Sequence, residues 1–427
     1  MLTRAGRLTV ACALAAVLPA AGVIGAPAAS AQGTGPQVRA AELPELRQID
    51  VPAAWRAAKG AGVTVAVLDT GVDATVPDLA GSVTTGPDYT LGADPPGYQP
   101  PHLHGTYIAS LIAGHGSGPG RAGGVIGVAP DAKVLSVRVI LDDQEPGFAV
   151  YNENASYADA IPDGIRYAVS HGASVINMSL GGAVSTRDMR LAIADAISHN
   201  VVVVAAVGNN GTARGGYTPY SYPASFTGVI SVAAVGASGA RASFSDRNAS
   251  VVIAAPGVNV VGAGPDGEYL TGDGTSPASA FVAGVVALIR SKYPALSPAL
   301  VTQVLVGSTR HRPAGGYSPG TGFGEVDAAA ALAAAGRLAG QRTAAGLAAS
   351  AHLGGGPLPG PIQVVHRDHA KIAALGAVAL AAALGFLLAL ALLVLMALQL
   401  LQGRGRAGRA PGGDAAVPGQ DTNVAET

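Results

Sequence analysis

Short, continuously apolar runs rich in β-branched residues recur along the middle of this chain. They are "VTVAVLD" (Val63 to Asp69), "KVLSVRVI" (Lys133 to Ile140), the strand Ser174 to Met178 in "ASVINMSLGG", Val201 to Ala206 in "VVVVAAVGNNG", and then "GVISVAAV" and "VVIAAPG". Strands without a polar face belong in a sheet that is covered on both sides. Helical patterns lie between them, at Gly105 to Ala113, Asp163 to His171, and Arg187 to His199 with Thr186 as cap. The alternation implies an α/β fold whose central sheet is mainly parallel and flanked by helices. Pro162 implies that its helix starts there or kinks, and Ser297-Pro298 reads as the cap and first residue of a further helix. In such sheets ligands sit beyond the carboxyl ends of the strands. Asp69 is at one such end and Asn209 lies just past another.

The two ends of the chain read differently from its middle. Arg4 and Arg7 precede an apolar run from Leu8 to Ile24, and Ala29-Ser30-Ala31 is a small-residue cleavage site, the pattern of an export signal over residues 1–31. The only cysteine, Cys12, falls inside it, so the exported chain is expected to contain no disulfide. Near the other end no charged residue occurs from Ile372 to Gly403, longer than the ~20 residues a bilayer core requires. A transmembrane helix is therefore expected over 371–402. With a cleaved signal in front, the body lies outside the cell and the arginine-rich tail, 403–427, in the cytoplasm. Residues 341–370 carry a Gly/Pro cluster without periodicity and read as a tether. That leaves an arm at 32–45 and a body at 46–340. The formal charge of −1 gives no indication of nucleic-acid binding.

In the body, "YLTGDGTSPASAFVAGVVALIRSKYP" places Ser276 where a glycine-rich turn meets a long apolar helix. Two readings compete. Serine followed by proline is a favoured helix start, with serine as N-cap. A serine at a helix N-terminus is also well placed as a nucleophile, because free amides there hold an oxyanion, provided a histidine and an orienting carboxylate are at hand. Of nine histidines, those at 352, 366 and 369 fall in the tether, His171 and His199 at helix ends, His115 in a glycine loop and His311 in a polar loop. His102 and His104, in "PPHLHGTYIASLIAG", remain as candidate bases. Asp69, in the turn-forming "DTG", is the candidate acid. Asp69, His104 and Ser276 follow one another in the order found in subtilisin.

The body resembles the subtilases, the subtilisin-type serine proteases. The matching blocks are "VAVLDTGVD", "HGTYIASLIAG", "VINMSLGG", "AAVGNNG", "SYPASFTGVISVAAV", "FSD…VVIAAPG" and "GTSPASAFVAGVVALI", in the family's order and over most of Ala54 to Ala335. The layout of signal, short arm, body, tether and single membrane helix resembles the mycosins, the membrane-anchored subtilases of type VII secretion systems. Only about twenty residues separate Ala31 from Val51, below the ~40 an independent fold needs, so no chaperone prodomain is expected. Two features depart from the family pattern. The body lacks the cysteines usual in mycosins, and Pro277 directly follows Ser276. Proline removes its own amide and leaves that of Ser276.

The resemblance implies a subtilisin-like fold and an endopeptidase with Ser276 as nucleophile, His104 as base, Asp69 as orienting acid and Asn209 as oxyanion donor. It implies further that Ser179, Leu180, Gly181, Ala206 and Gly208 line the substrate site. No charged residue occurs in the segments 179–181 and 205–208, which favours a neutral substrate side chain. The match of Tyr222-Pro223 to a family position implies a cis bond. No cofactor and no metal are expected, and the acidic loop of Asp142, Asp143 and Glu145 reads as solvated. The implied partners are a protein or peptide substrate, the membrane, and components of a secretion complex. A second function remains open beside catalysis: a mainly structural part of such a complex, with narrow or secondary proteolysis.

Overall fold

The computed structural model describes residues 35–212, 216–339 and 369–406. The expected signal peptide lies outside the described residues, as do the tether up to residue 368 and the tail beyond residue 406. The chain divides into two compact units, Met1–Ala345 and Gly346–Thr427.

Seven parallel strands build the central sheet of the first unit: β1 (Thr64–Asp69), β2 (Val83–Asp88), β3 (Lys133–Arg138), β4 (Val175–Met178), β5 (Val202–Ala206), β6 (Ile230–Val235) and β7 (Ile253–Pro256). Their spatial order is β2-β3-β1-β4-β5-β6-β7. Val65 of β1 pairs with Val134 on one side and Val175 on the other. The strand order thus reverses beside β1, which opens a crevice at the carboxyl ends of β1 and β4.

The apolar runs cover both faces because the pleat sends alternate side chains to opposite sides. Val65 and Val67 of β1 join a core with Ile108, Phe281 and Val285, whereas Ala66 and Leu68 join a second core with Ile165 and Ile193. The first face is covered by α2 (Leu103–Ala113) and α5 (Thr275–Lys292), the second by α3 (Ala160–Ser170) and α4 (Arg187–Ser198). Thr186 caps α4 by accepting from the Met189 amide at 3.1 Å. Ser297 does the same for Pro298–Gly307, accepting from Leu300. Pro162 sits in the first turn of α3, which starts at Ala160. Its missing N–H falls among the amides that have no intrahelical acceptor, so the helix runs through without a break.

The segment ahead of the sheet is part of the body. Residues Gly35–Gln48 form α1, and the expected boundary at residue 46 falls inside it. Leu46 is fully buried, and the Arg39 guanidinium donates to the carbonyls of Gly123 and Gly124. At the helix end Gln48 Nε2 donates to Glu325 Oε1 and to Gly236 O, Arg310 donates to Gln48 O, and the Ala328 amide donates to Ile49 O.

Among the described residues of the second unit, one helix spans His369–Arg406, and its segment Ala373–Gln399, 27 residues with mean hydropathy 2.9, is long and apolar enough to cross a membrane. At 1.5 Å per residue that is about 40 Å, against a hydrocarbon core of about 30 Å.

Candidate active site

Asp69 closes β1 as its last residue and is fully buried. Its Oδ1 accepts from the Thr70 amide at 2.8 Å and from His104 Nδ1 at 2.7 Å. A carboxylate only accepts, so the proton of the imidazole is fixed on Nδ1 and Nε2 is left with its lone pair. His104 is the second residue of α2, and its side chain is 13% exposed. The turn after β1 is locked onto the start of that helix. Thr70 Oγ1 accepts from the Gly105 amide at 3.0 Å, and Thr106 Oγ1 accepts from the Asp73 amide at 2.9 Å. Glycine is obligatory at 105, because a Cβ there would lie 2.0 Å from the Gly71 carbonyl oxygen. His102, the other candidate base, is taken up by this joint, with Nδ1 at 2.8 Å from Thr70 O.

Ser276 is not a helix cap. The N-cap of α5 is Gly274, in extended backbone, so Thr275, Ser276 and Pro277 are the first three helical residues. The orphan amide of Thr275 is satisfied from far away: Asn209 Oδ1 accepts from Thr275 N and from Thr275 Oγ1, each at 2.9 Å. With its oxygen held twice, the Asn209 carboxamide has its NH₂ group left to donate elsewhere. Pro277 has no amide to satisfy, and the Ser276 amide, in the first turn, has no intrahelical acceptor.

Ser276 Oγ donates to the Ser179 carbonyl at 3.1 Å, and no hydrogen bond closes between it and His104. Ser179 directly follows β4, the neighbour of β1, so Ser276 and the Asp69–His104 pair meet at the same end of adjacent strands. Hydrogen bonds of such units often tighten only when substrate is bound. Beneath the serine, Ser179 Oγ donates to Ser276 O at 3.1 Å and shares a hydrogen bond with Ser279 Oγ.

A cleft of about 320 Å³ opens beside Ser276, and its lining includes all five expected substrate residues, Ser179, Leu180, Gly181, Ala206 and Gly208, together with Asn209. Tyr222-Pro223, next to the lining residue Ser221, is cis. The lining also holds a charged residue that the two neutral segments did not reveal. Asp246 comes from a distant loop, where its Oδ1 accepts from the Asn210 amide at 2.8 Å and its own amide donates to Gly208 O. Burial raises its pKa. The motif "FSD" carried it in the sequence, but nothing local showed where it would pack.

The acidic loop departs from its expectation too. Only Asp143 is exposed; Asp142 and Glu145 are buried, at 5% and 3% exposure. The cause is Arg138 at the end of β3, which draws Glu145, Asp88 and Asp94 around its guanidinium. Among the described residues no group of acids, histidines or cysteines is arranged to hold a metal.

Burial pulls the His104 pKa down, but the charge and hydrogen bond of Asp69, then Asp142 and Asp143, outweigh it and hold the imidazole above its ordinary 6.5. A raised value means that the charged form is favoured in the fold: its stabilising contribution is complete below pH 6.5 and is lost as pH rises through the folded value. For a general base the sign runs the other way, since only neutral imidazole accepts a proton. The acid limb of a kcat/KM profile is therefore expected above pH 6.5, and Asp69→Asn should cut activity at every pH. A limb below 6.5 in steady-state hydrolysis of a peptide would contradict this.

The family model described as "Subtilase family" matches residues 60–324. The chain belongs to the subtilases. It is 37% identical over 276 residues to Subtilisin DY of Bacillus licheniformis, covering 64% of this chain and 92% of that one. Among solved structures, the MycP3 protease from the type VII (ESX-3) secretion system matches with a TM-score of 0.60 at 32% identity, over 71% of this subtilase and 91% of that chain. MycP1 from Mycobacterium smegmatis matches with a TM-score of 0.59 at 26% identity, over 72% and 87%. This subtilase is a serine endopeptidase related to the mycosins.

Proposed function

We propose that this subtilase is a membrane-anchored endopeptidase whose body lies outside the cell, that it cleaves protein with Asp69, His104 and Ser276, and that it serves a type VII secretion system. The observation that carries the catalytic part is the Asp69–His104 hydrogen bond, which leaves Nε2 basic at the same sheet end as Ser276. Ser276 Oγ attacks the scissile carbonyl carbon while His104 Nε2 takes its proton. Asp69 stabilises the imidazolium that forms. The carbonyl oxygen becomes an oxyanion and receives hydrogen bonds from Asn209 Nδ2 and the Ser276 amide. Collapse breaks the C–N bond, His104 protonates the leaving amine, and a water deprotonated by the same imidazole then hydrolyses the acyl ester. The cleft surface is mostly apolar, and Asp246 in its wall is almost fully buried, which suits an uncharged side chain before the cut.

The anchor rests on the apolar segment Ala373–Gln399. The secretion link rests on the likeness to MycP3 and MycP1. Shaving of intact cells with an external protease tests the first: the body is expected to be lost and a tag after Thr427 to survive. Loss of the tag reverses the orientation. Replacing the gene by a Ser276→Ala allele, beside a full deletion, tests the second through export of secreted substrates. Deletion is expected to impair export. If the deletion exports normally, the secretion link falls; if Ser276→Ala restores export without cleavage, the main role in secretion is structural.

A further inference from the structure

A carboxylate stands in the wall of the cleft, and the peptidase steps above give it no task. Asp246 lies in the loop between β6 and β7 and is 1% exposed, so it offers substrate almost no surface. A buried carboxylate is costly unless its oxygens are hydrogen-bonded. What Asp246 binds is backbone, at two points on either side of a single residue. Its amide donates to Gly208 O at 2.9 Å, and its Oδ1 accepts from the Asn210 amide at 2.8 Å. The residue between those two points is Asn209.

The Gly208 carbonyl belongs to the peptide unit before Asn209, and the Asn210 amide to the one after it. Each unit is planar, so holding both fixes φ and ψ of Asn209 and with them the direction in which its side chain leaves the backbone. The carboxylate is pressed close against this turn. A Cβ on Gly208 would lie 2.3 Å from Asp246 Oδ2, and Gly208 has φ +115°, so glycine is required there on both counts. Asp246 is itself anchored to the sheet. Ser245 Oγ accepts from the Ala234 amide in β6 at 3.0 Å, and Phe244 O accepts from the Gly211 amide at 2.7 Å. The Arg241 guanidinium donates to Ser245 O and, at 3.1 Å, to Thr212 O. On its far side Asn209 is held through Oδ1 by Thr275. Backbone and carboxamide oxygen are both fixed, which leaves Nδ2 a single direction.

We propose that Asp246 is a positioning residue for the peptidase reaction: it fixes the two peptide planes that flank Asn209, so that Nδ2 is aimed in advance at the place where the oxyanion forms. It rests on the reading of Asn209 as oxyanion donor. The acceptor oxygen of Asp246 does this, and its charge does not help. A negative charge close to a developing oxyanion opposes it, whereas a donor held in advance costs no reorganisation at the moment of reaction.

The test uses the full chain in detergent and an internally quenched peptide, with thermal melts alongside. Wild type is compared with Asp246→Ala, Asp246→Ser and Asp246→Asn, each also combined with Asn209→Ala. Asp246→Ala removes the acceptor, and Asp246→Ser leaves a hydroxyl one bond too short to reach. In both, kcat is expected to fall roughly ten- to a hundred-fold with KM unchanged, because small misplacements of a catalytic group cost on this scale. Asp246→Asn keeps an acceptor oxygen in the same place and is expected to restore kcat to near the wild-type value. In the Asn209→Ala background the Asp246 substitutions are expected to change kcat little, because the residue they act through is gone. A loss of the same factor in both backgrounds marks a general loosening of the cleft and overturns the proposal. So does a folded Asp246→Ala or Asp246→Ser chain with wild-type kcat, a loss confined to KM, or an Asp246→Asn chain as slow as Asp246→Ala. Should Asp246→Ala fail to fold, Asp246→Ser and Asp246→Asn make the same comparison. An Asn209→Ala chain with full kcat is a different result, because it sinks the reading of Asn209 as the oxyanion donor itself.

Discussion

Ser276→Ala is expected to remove peptide cleavage while leaving the fold close to intact. The loss should be on the order of 10⁶-fold in turnover, the size known for the subtilisin unit itself. The structure sharpens the expectation for stability. Ser276 is the second helical residue, not the cap, and its hydroxyl makes one hydrogen bond, to Ser179 O. Losing one such bond costs about 1 kcal/mol, or a melting shift of about 2–4 °C in a body of this size. His104→Ala should lose a comparable amount of activity, and the double variant no more than either, because nucleophile and base act as one unit. The measurement is turnover on a peptide library for wild type, both single variants and the double variant. Losses that multiply in the double variant would separate the two residues and end the triad reading.

Asn209 offers the second large effect, and one in which chemistry can be separated from architecture. Asn209→Ala is expected to lower kcat by roughly 10²–10³ with little change in KM, the usual cost of one oxyanion donor. It also removes two hydrogen bonds that hold the start of α5 through Thr275. Asn209→Asp distinguishes the two roles. A carboxylate oxygen can still accept from Thr275, so a purely structural residue would tolerate the change. An oxyanion donor would not, because the NH₂ group becomes a second oxygen aimed at developing negative charge. Asn209→Asp is therefore expected to be at least as slow as Asn209→Ala under single-turnover conditions, with a melting temperature nearer to wild type. An active Asn209→Asp chain would move the oxyanion elsewhere.

What could be read along the chain was whatever depends on near neighbours. The apolar runs located six of the seven strands to within about two residues, because a strand buried on both faces leaves an uninterrupted signature; β2, whose residues are only partly buried or exposed, left none. Asp69 was legible from its place at the end of such a run, and Asn209 from the turn that follows another. Errors appeared where a distant group settles a local question. Ser276-Pro277 looks like a cap and first residue by every local rule. Yet the N-cap is Gly274, two residues sooner, and the free amide of the first helical residue, Thr275, is bound by Asn209, 66 positions earlier. The loop at Asp142 reads as solvated because three of its residues are acidic. It is buried because Glu145 is drawn, with Asp88 and Asp94, around the guanidinium of Arg138. Asp246 reaches the cleft wall in the same way, through the Asn210 amide.

The bonds that join Gln48 and Ile49 to the far end of the body bear on the order in which the molecule can be completed. Gln48 and its partner Glu325 are 277 positions apart. Closing so long a segment is entropically unfavourable until its contacts form, and proteins rich in such contacts fold slowly. A nascent chain can pair its early strands as they emerge, but this seam stays open until residues 325–328 have been made. Until then the amide partner of Ile49 O and the carboxylate partner of Gln48 are missing. The body can thus be closed at this seam only after more than two thirds of the chain has been made.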